Sequence, residues 1–460
     1  MNDNFHIYDT TLRDGAQQEG LNLSVHDKLA IARHLDDLGV GFIEGGWPGA
    51  NPKDTEFFKR AQTELKLKNA TFMAFGATRR PNVKAADDVL LRALQDSGAA
   101  GVTLVAKSHD RHVDLALKTN LDENLAMIKE SIEFLRAGGQ RVFLDAEHFF
   151  DGYKSNKAYA LEVVRVSAEA GADVIALCDT NGGMLPDELS QVVHDVLTAS
   201  SARLGIHCHN DTGCAVANSL AAIAAGVTHV QGTLNGYGER TGNADLVSII
   251  ANLELKKKQK VLPEGSLQEA FRISHAVAEV TNVAPSARQP YVGVSAFAHK
   301  AGLHASAIKV DPAMYQHEEP SSVGNDRRML VSEMAGRASI ELKSEELGIA
   351  IGNDKELITS VPKEFREQIG GSNKYWGAQR YTGGAFYFGA AIMFLFALGL
   401  IFMKDSLKWP FIVLTIVAIG LCSADPGGMN SFFISKFPMY SKFRDSKMIL
   451  TIIQVIAPAV

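Results

Sequence analysis

The amino-acid sequence predicts an α/β fold, and three observations over its first 260 residues support that prediction. A helical pattern, then Gly, then an apolar strand-like run recurs along the chain, as in LDDLGVGFIEGG, LRAGGQRVFLDAE and AEAGADVIALCDT. A Gly that ends a helix and leads into a Val/Ile/Leu-rich run is typical of an αβ turn. The segment after the first strand, TTLRDGAQQEG, is not a Gly-rich phosphate loop, which disfavours a doubly wound sheet.

Eight strand-like runs follow one another at a spacing of about 30 residues. In chain order they are FHIYD, GFIEGG, TFMAFGA, GVTLVAK, RVFLDAE, DVIALCD, LGIHCHN and HVQGTLN. Amphipathic helical stretches alternate with them, and the first, SVHDKLAIARHLDDLG, has Ser24 as its expected N-cap. Eight such units predict a (β/α)8 barrel, the TIM barrel, over residues 1–260.

The composition changes after the predicted barrel. Residues 261–360 stay mixed and charged, and we expect them to form a small post-barrel helical subdomain. Later in the chain, uncharged runs of 23, 16 and 13 residues predict helices near 383–403, 409–424 and 448–460. Residues 361–460 are therefore expected to form a C-terminal apolar, membrane-type helical segment. Buried core helices are the alternative.

Charge and cysteine usage exclude some classes of function. The net charge of −6 gives no electrostatic reason to expect nucleic acid as a partner. The four cysteines lack CxxC spacing, which argues against a disulfide framework and a structural zinc site. The first residues, MNDNFHIYDTTLRDG, do not have the pattern of a signal peptide. These observations favour a reducing, cytoplasmic setting for the catalytic part of the chain.

The chemistry of such a barrel is expected where its strands end, at the C-terminal face. Polar residues follow five of the predicted strands and occupy the loop after the eighth: Asp9, Thr10, Arg13, Asp14, Glu44, Asp145, Glu147, His148, Asp179, Thr180, His207, His209, Asn210, Asp211, Glu239, Arg240 and Asn243. Residues i and i+2 of a strand face the same side, so His207 and His209 are expected to point together.

The pair His207 and His209, with Asp14 and Asn243 on the same rim, predicts a metal site. Two structural histidines are the alternative. Imidazole, carboxylate and amide donors without a thiolate suit Mg²⁺, Mn²⁺, Co²⁺ or Zn²⁺ in an open, catalytic site. Such a metal would chelate a substrate with two adjacent oxygens, for example an α-keto acid, and polarise its carbonyl.

Three further rim residues are candidates for substrate chemistry. Arg13 is placed to hold a carboxylate or a developing enolate oxygen, although pairing with Asp14 alone is the alternative. Glu44 is expected to bind substrate from the end of the second strand. Glu147 is placed to act as a base, and a solvated rim residue is the alternative.

Several motifs in this order and spacing resemble one enzyme family. YDTTLRDGAQQEG, IEGGWPGANPKDTEFF, DAEHFFDGYK, HCHNDTGCAVANS and GYGERTGNADL are similar to the 2-isopropylmalate synthase/homocitrate synthase/citramalate synthase family. These are metal-dependent Claisen condensation enzymes built on a TIM barrel. The match runs from about residue 5 to about residue 360.

The resemblance implies a role for each matching residue. Four positions match the metal site of the family: Asp14, His207, His209 and Asn243. Arg13 matches the residue that steadies the keto acid and the enolate, and Thr180 matches a residue that contacts the keto-acid carboxylate. Glu147 matches the base that takes a proton from the acetyl-CoA methyl group. His304 and Tyr315 match catalytic residues that reach the partner subunit's active site, which implies a homodimer.

The resemblance also implies a reaction. Three segments are most similar in sequence to the citramalate-forming members of the family: GGWPGANPKD, AEHFFDGYK and VGNDRRMLVSEMAGRASI. Those members join acetyl-CoA to pyruvate on a route to isoleucine. A member using another α-keto acid, to give 2-isopropylmalate or homocitrate, is the first alternative. A lyase of the same fold, such as hydroxymethylglutaryl-CoA lyase, and a membrane protein fragment with an inactive barrel are the others.

The C-terminal part departs from the family pattern. Members of this type continue into a regulatory domain that senses the end product, whereas here NKYWGAQRYTGGAFYFGAAIMFLFALGLIFMKDSLKW resembles an internal piece of YfhO-like bacterial membrane proteins. The sequence therefore predicts a chimeric chain without feedback inhibition by isoleucine. Its uncharged C-terminal run predicts membrane association.

Overall fold

The computed structural model of the chain describes residues 3–330, 337–346 and Trp409. Eight parallel strands close into a barrel in chain order, and the eighth pairs with the first. The barrel strands are His6–Asp9 (β1), Phe42–Glu44 (β2), Thr71–Ala77 (β3), Gly101–Lys107 (β4), Arg141–Glu147 (β5), Val174–Asp179 (β6), Leu204–Cys208 (β7) and His229–Gly232 (β8). The predicted (β/α)8 barrel is thus confirmed, since a doubly wound sheet stays open.

Helices connect successive strands and continue after β8. Their bounds are Val25–Leu38 (α1), Pro52–Glu64 (α2), Val89–Gln95 (α3), Asp110–Leu115 (α4), Leu121–Ala137 (α5), Phe149–Ser155 (α6), Lys157–Glu169 (α7), Pro186–Ala199 (α8), Ala215–Ala225 (α9), Leu246–Ala251 (α10), Ala270–Thr281 (α11), Gly302–Val310 (α12) and Arg337–Glu346 (α13). Two short strands, Ala298–His299 (β9) and Arg328–Met329 (β10), also follow the barrel.

The ends of α1 show why the sequence forms a helix at this position. Ser24 accepts a hydrogen bond from the backbone N–H of Asp27, and the Asp27 side chain accepts one from the backbone of Ser24. This capping box satisfies two of the otherwise unpaired N–H groups at the helix start, as expected for Ser24. Gly39 ends the helix with φ of 89°, a conformation that glycine adopts without steric cost.

Apolar side chains and the buried imidazoles of His6 and His229 pack together in the N-terminal half of the barrel interior. Tyr8, Phe42, Met73, Phe143 and Val174 form a fully buried cluster inside the ring of strands. A larger core lies between the strands and the surrounding helices. Residues that point into the barrel alternate with residues that point outward along each strand, and the inward-pointing ones form successive layers. The layer at the C-terminal ends of the strands carries polar side chains. The site described below occupies that upper layer.

Chain packing divides the protein into two units. The first comprises residues 1–298 and 316–328, and it contains the barrel. The second comprises residues 299–315 and 329–460, of which the structure describes residues 299–315, 329–330 and 337–346 and Trp409. The domain limits at residues 260 and 360 that the sequence suggests stay predictions.

The described helices are all too short or too polar to traverse a lipid bilayer. This finding concerns residues 3–330 and 337–346 and Trp409. The apolar helices expected near 383–403, 409–424 and 448–460 lie outside the described residues, apart from Trp409 at the start of the second.

Two buried imidazoles meet at the N-terminal end of the barrel. His6 and His229 are register partners of β1 and β8, and their Nδ1 atoms lie 3.2 Å apart. One ring must donate and the other accept, so two imidazolium ions do not fit this contact. Burial, and then the charge of His6, lowers the pKa of His229 well below its ordinary value, and burial also lowers the pKa of His6.

This pair predicts that the fold is less stable in acid. Because the pKa of His229 is lower in the folded chain than in the unfolded one, the unfolded chain binds more protons below about pH 6.5. The free energy of unfolding should therefore fall as the pH decreases below that value, by at most about 1.4 kcal/mol per pH unit for one such proton.

Denaturant titrations at several pH values between about 5 and 7.5 measure this effect. His229→Gln should make the dependence of the unfolding free energy on pH shallower. His26→Gln, at an exposed position of α1, serves as the control and should keep the slope of the unaltered protein. Equal slopes for all three proteins would contradict the assignment.

Candidate metal centre and active site

Three potential metal ligands converge at the C-terminal face of the barrel. Asp14 follows β1, His207 lies in β7, and His209 comes just after that strand. The Oδ2 atom of Asp14 is 3.2 Å from Nε2 of His207 and 3.8 Å from Nε2 of His209. Potential ligand atoms of the three side chains lie within 4.8 Å of one another, and all three residues are buried. The expected common face of His207 and His209 is confirmed by this geometry.

The end of β7 differs slightly from the run LGIHCHN in the sequence. The strand stops at Cys208, and His209 instead forms an isolated antiparallel bridge with Asn243. The N–H of Ala244 donates to the carbonyl of Cys208, so the loop after β8 replaces a neighbouring strand at this point. This backbone contact brings Asn243 next to the histidine pair.

The side chain of Asn243 fits a role as a cation ligand. Its Nδ2 donates to the carbonyl of Tyr237, which identifies Oδ1 as the free end of the amide. That Oδ1 is buried and has no hydrogen-bond partner within the described part of the chain. A buried acceptor without a donor is costly, and a cation removes that cost. The donor set of two imidazoles, a carboxylate and an amide oxygen therefore fits a divalent cation.

Electrostatics keep two of these ligands in the form that binds a metal. Burial raises the pKa of Asp14, but Arg13 and the hydrogen bond from His207 outweigh it and lower the pKa below its ordinary value. Burial, and then the charge of His207, lowers the pKa of His209 to about 4. Asp14 is thus ionised and His209 neutral near pH 7, as coordination requires.

Gln231 of β8 orients His207. Its Nε2 donates to Oδ1 of Asp145 at 2.7 Å, and its Oε1 lies 3.0 Å from Nδ1 of His207. The contact with Asp145 assigns the amide orientation, so Nδ1 of His207 must donate to Oε1. Nε2 faces Asp14 and is the nitrogen that would bind a cation once it has lost its proton. Neither Gln231 nor this role of Asp145 follows from motif spacing. The sequence feature that could have indicated a role for Gln231 is its polar side chain within the buried strand HVQG.

Arg13 lies beside Asp14 and is held in place by Glu44 and Phe75. Its Nε donates to Glu44 Oε1 at 2.5 Å, Nη1 is 3.7 Å from Asp14 Oδ2, and the guanidinium lies 3.8 Å above the ring of Phe75. Tyr8 donates to the other oxygen of Glu44 at 2.8 Å. Glu44 is fully buried and is not among the residues that line the cavity described below, so its expected contact with substrate stays a prediction. Arg13 and Tyr8 occupy both oxygens of Glu44, and the contact with Glu44 holds the Arg13 guanidinium in place.

Glu147 and Thr180 line the same cavity as Arg13 and the histidines. This cavity has a volume of about 520 Å³ and opens at the C-terminal face. Glu147 is paired with Lys107, the last residue of β4. The Oγ1 atom of Thr180 accepts a hydrogen bond from the N–H of His148 at 2.8 Å. Arg240 donates to the carbonyl of Thr180 and pairs with Asp211, so the loop after β8 supports this part of the wall.

His304 and Tyr315 lie in the second unit. Their rings stack with centroids 4.1 Å apart, between α12 and the turn that follows it. The segment AGLHASA forms the start of a helix, since α12 begins at Gly302. The structure thus places the two residues together, and their participation in the reaction stays a prediction.

Comparison with protein families gives two matches. The model of the HMGL-like family matches residues 4–277, and that of the homocitrate synthase post-HMGL domain-like family matches residues 291–369. The first match covers the whole barrel and the candidate site.

Comparison with curated proteins gives relatives over about four fifths of the chain. The (R)-citramalate synthase of Streptomyces coelicolor is 66% identical over 368 residues, which cover 80% of this chain and 69% of that protein. The (R)-citramalate synthase of Geobacter sulfurreducens is 46% identical, covering 81% and 70%. The probable 2-isopropylmalate synthase of Methanopyrus kandleri is 35% identical, covering 77% and 68%. The chain spans about two thirds of the length of these relatives.

Solved structures show the same fold at low sequence identity. The HMG-CoA lyase of Bacillus subtilis superposes with a TM-score of 0.52 at 18% identity, covering 61% of this chain and 94% of that chain. The HMG-CoA lyase of Acinetobacter baumannii, in complex with coenzyme A and 3-methylmalate, gives a TM-score of 0.51 at 20% identity, covering 61% and 92%. At this identity the similarity concerns the barrel alone.

Proposed function

The chain belongs to the HMGL-like family, and from that premise we propose that it condenses acetyl-CoA with pyruvate to give (R)-citramalate and free CoA. The identity of 66% to an (R)-citramalate synthase, along 80% of the chain, carries this proposal. A single cavity lined by Arg13, Asp14, Glu147 and the histidine pair supports it.

Recognition of pyruvate uses the side chains around the cation site. Asp14, His207, His209 and Asn243 would hold Mg²⁺, Mn²⁺, Co²⁺ or Zn²⁺, which supplies polarisation of the keto group when bound. Arg13 is rigid because Glu44 and Phe75 fix its guanidinium, so it meets the keto acid in a preorganised orientation. Thr180, which lines the same cavity, accepts a hydrogen bond from a backbone N–H and can donate its own hydroxyl proton to the carboxylate.

Glu147 is the proposed base for the acetyl group. Its carboxylate takes a proton from the methyl carbon of acetyl-CoA, and the electrons of that C–H bond form the enolate. The enolate carbon then attacks the keto carbon of pyruvate, which forms the new C–C bond. Water hydrolyses the thioester, and citramalate and CoA leave.

The remaining parts of the proposal concern assembly. His304 and Tyr315 lie together in the unit matched by the homocitrate synthase post-HMGL domain-like family. We propose that they complete the active site of the partner subunit in a homodimer. Membrane association through the C-terminal segment is a separate proposal, and it rests on the uncharged runs alone.

Release of CoA from acetyl-CoA by the full-length chain tests the proposed activity. We expect release with pyruvate, its loss after chelation by EDTA, and its return when Mg²⁺ or Mn²⁺ is added back. Chiral chromatography should identify the product as (R)-citramalate. Faster release with 2-oxoisovalerate or 2-oxoglutarate would favour the corresponding synthase instead, and cleavage of hydroxymethylglutaryl-CoA without condensation would favour a lyase.

A further inference from the structure

Lys107 and Glu147 form a pair at the wall of the active-site cavity. They are register partners at the ends of β4 and β5, so their side chains point the same way. The ammonium group of Lys107 contacts Oε2 of Glu147. Both side chains line the cavity, and they are exposed by 24% and 25%. An acetyl group that reaches Glu147 therefore also meets Lys107.

The four arginines that line this cavity form ion pairs with acidic residues other than Glu147. Arg79 pairs with Glu123 and Glu130, and Arg80 pairs with Asp88. Arg240 pairs with Asp211. Arg13 is fixed between Glu44 and the metal ligands, where the keto acid binds in the proposed function. Lys107 differs because its acidic partner is the proposed base itself.

We propose that Lys107 is a catalytic residue that donates a hydrogen bond to the thioester oxygen of acetyl-CoA as the enolate forms. This inference rests on the proposed function, since it needs Glu147 to act on the acetyl methyl group. The methyl carbon and the carbonyl oxygen of an acetyl thioester are bound to the same carbon atom. A methyl group within reach of Glu147 thus brings that oxygen near the adjacent ammonium group.

The charges balance during this step. Glu147 accepts the methyl proton and becomes neutral, so its ion pair with Lys107 ends. The C–H electron pair forms the C=C bond, and the former C=O π pair becomes the negative charge on the enolate oxygen. Lys107 remains an ammonium ion throughout, and its hydrogen bond passes from the carboxylate to the new anion. A donor that is already in place when charge develops lowers the barrier most effectively.

A role confined to holding Glu147 makes a different prediction. If Lys107 only orients the carboxylate, its removal slows the reaction without changing how tightly CoA ligands bind. If it contacts the enolate oxygen, its removal weakens a ligand that carries negative charge at that position. Carboxymethyl-CoA is such a ligand, because its carboxylate imitates the enolate, while acetyl-CoA has a neutral carbonyl.

The experiment measures dissociation constants of carboxymethyl-CoA and acetyl-CoA by calorimetry, together with kcat for CoA release. In Lys107→Met we expect the affinity for carboxymethyl-CoA to fall about 10- to 100-fold, with acetyl-CoA changed by less than about threefold. Lys107→Arg retains the charge and should recover part of the affinity. Lys154→Met, which removes an exposed lysine paired with Glu188, is the matched control.

The outcomes separate the two proposals. A slower reaction with both affinities unchanged, or equal weakening of both ligands, would overturn the role of Lys107 as an enolate donor. Unchanged kcat and affinities in Lys107→Met would overturn it as well, while the synthase activity would still stand. If the unaltered protein releases no CoA with pyruvate, the proposed function itself is contradicted. Lys107→Gln provides a second neutral variant if the methionine variant fails to fold.

Discussion

Replacing Asp14 with asparagine is expected to abolish binding of the divalent cation and, with it, the condensation reaction. Asp14 is the one anionic member of the ligand group formed with His207, His209 and Asn243, and its carboxylate lies within 3.8 Å of both imidazoles. Loss of a residue that only orients a metal ligand already costs about 10- to 100-fold in affinity. Loss of a ligand with its charge should cost well over 100-fold.

Calorimetric titration of Mn²⁺ into chelator-treated Asp14→Asn tests this prediction directly, and CoA release provides the second readout. Asp122→Asn removes a carboxylate from the exposed start of α5 and should bind Mn²⁺ like the unaltered protein. Thermal unfolding without metal should show that Asp14→Asn is folded. An Mn²⁺ affinity of this variant equal to that of the control would refute the assigned metal centre.

Replacing Glu147 with glutamine is the second change with a large expected effect. Glutamine keeps the size of the side chain and its place opposite Lys107, but it has no basic oxygen that can take a proton at neutral pH. General base catalysis contributes about 10²- to 10⁴-fold, so kcat should fall by that factor. The affinity for Mn²⁺ should not change, because Glu147 is outside the ligand group.

Exchange of the acetyl-CoA methyl protons with deuterated solvent, followed by NMR, isolates the step assigned to Glu147. In the presence of pyruvate and the Glu147→Gln variant, the methyl protons of acetyl-CoA should exchange no faster than they do in deuterated solvent without enzyme. Glu188→Gln, at the exposed partner of Lys154, should exchange like the unaltered chain. Methyl exchange at the normal rate in Glu147→Gln would rule out this residue as the base.

Much of this site follows from local sequence rules. The eight strands were predictable because each is a short apolar run that begins shortly after a helix-ending Gly or polar turn. The common face of His207 and His209 follows from the two-residue period of a strand. The rim position of Asp14 follows from the rule that parallel strands of a barrel end at one face. These inferences need only neighbouring residues and the barrel topology.

Other features depend on how separate strands align, which motif spacing does not specify. Glu44 ends its strand like a substrate ligand, yet Arg13 and Tyr8 from β1 and its following turn occupy both of its oxygens. The contacts of Gln231 with Asp145 and His207 join three strands across the barrel. Lys107 ends the run GVTLVAK as visibly as Glu147 ends RVFLDAE, but their pairing depends on the register of β4 with β5.

The bridge between His209 and Asn243 has a consequence for the order in which the protein is assembled. The proposed cation ligands come from opposite ends of the barrel sequence, since Asp14 follows the first strand and Asn243 follows the last. During synthesis, the complete set exists only after the ribosome has released the chain beyond Asn243 and β8 has joined β1. A cation that binds this set, and not the open chain, adds stability to the closed ring alone. Metal occupancy would then report that the barrel has closed, before any substrate arrives.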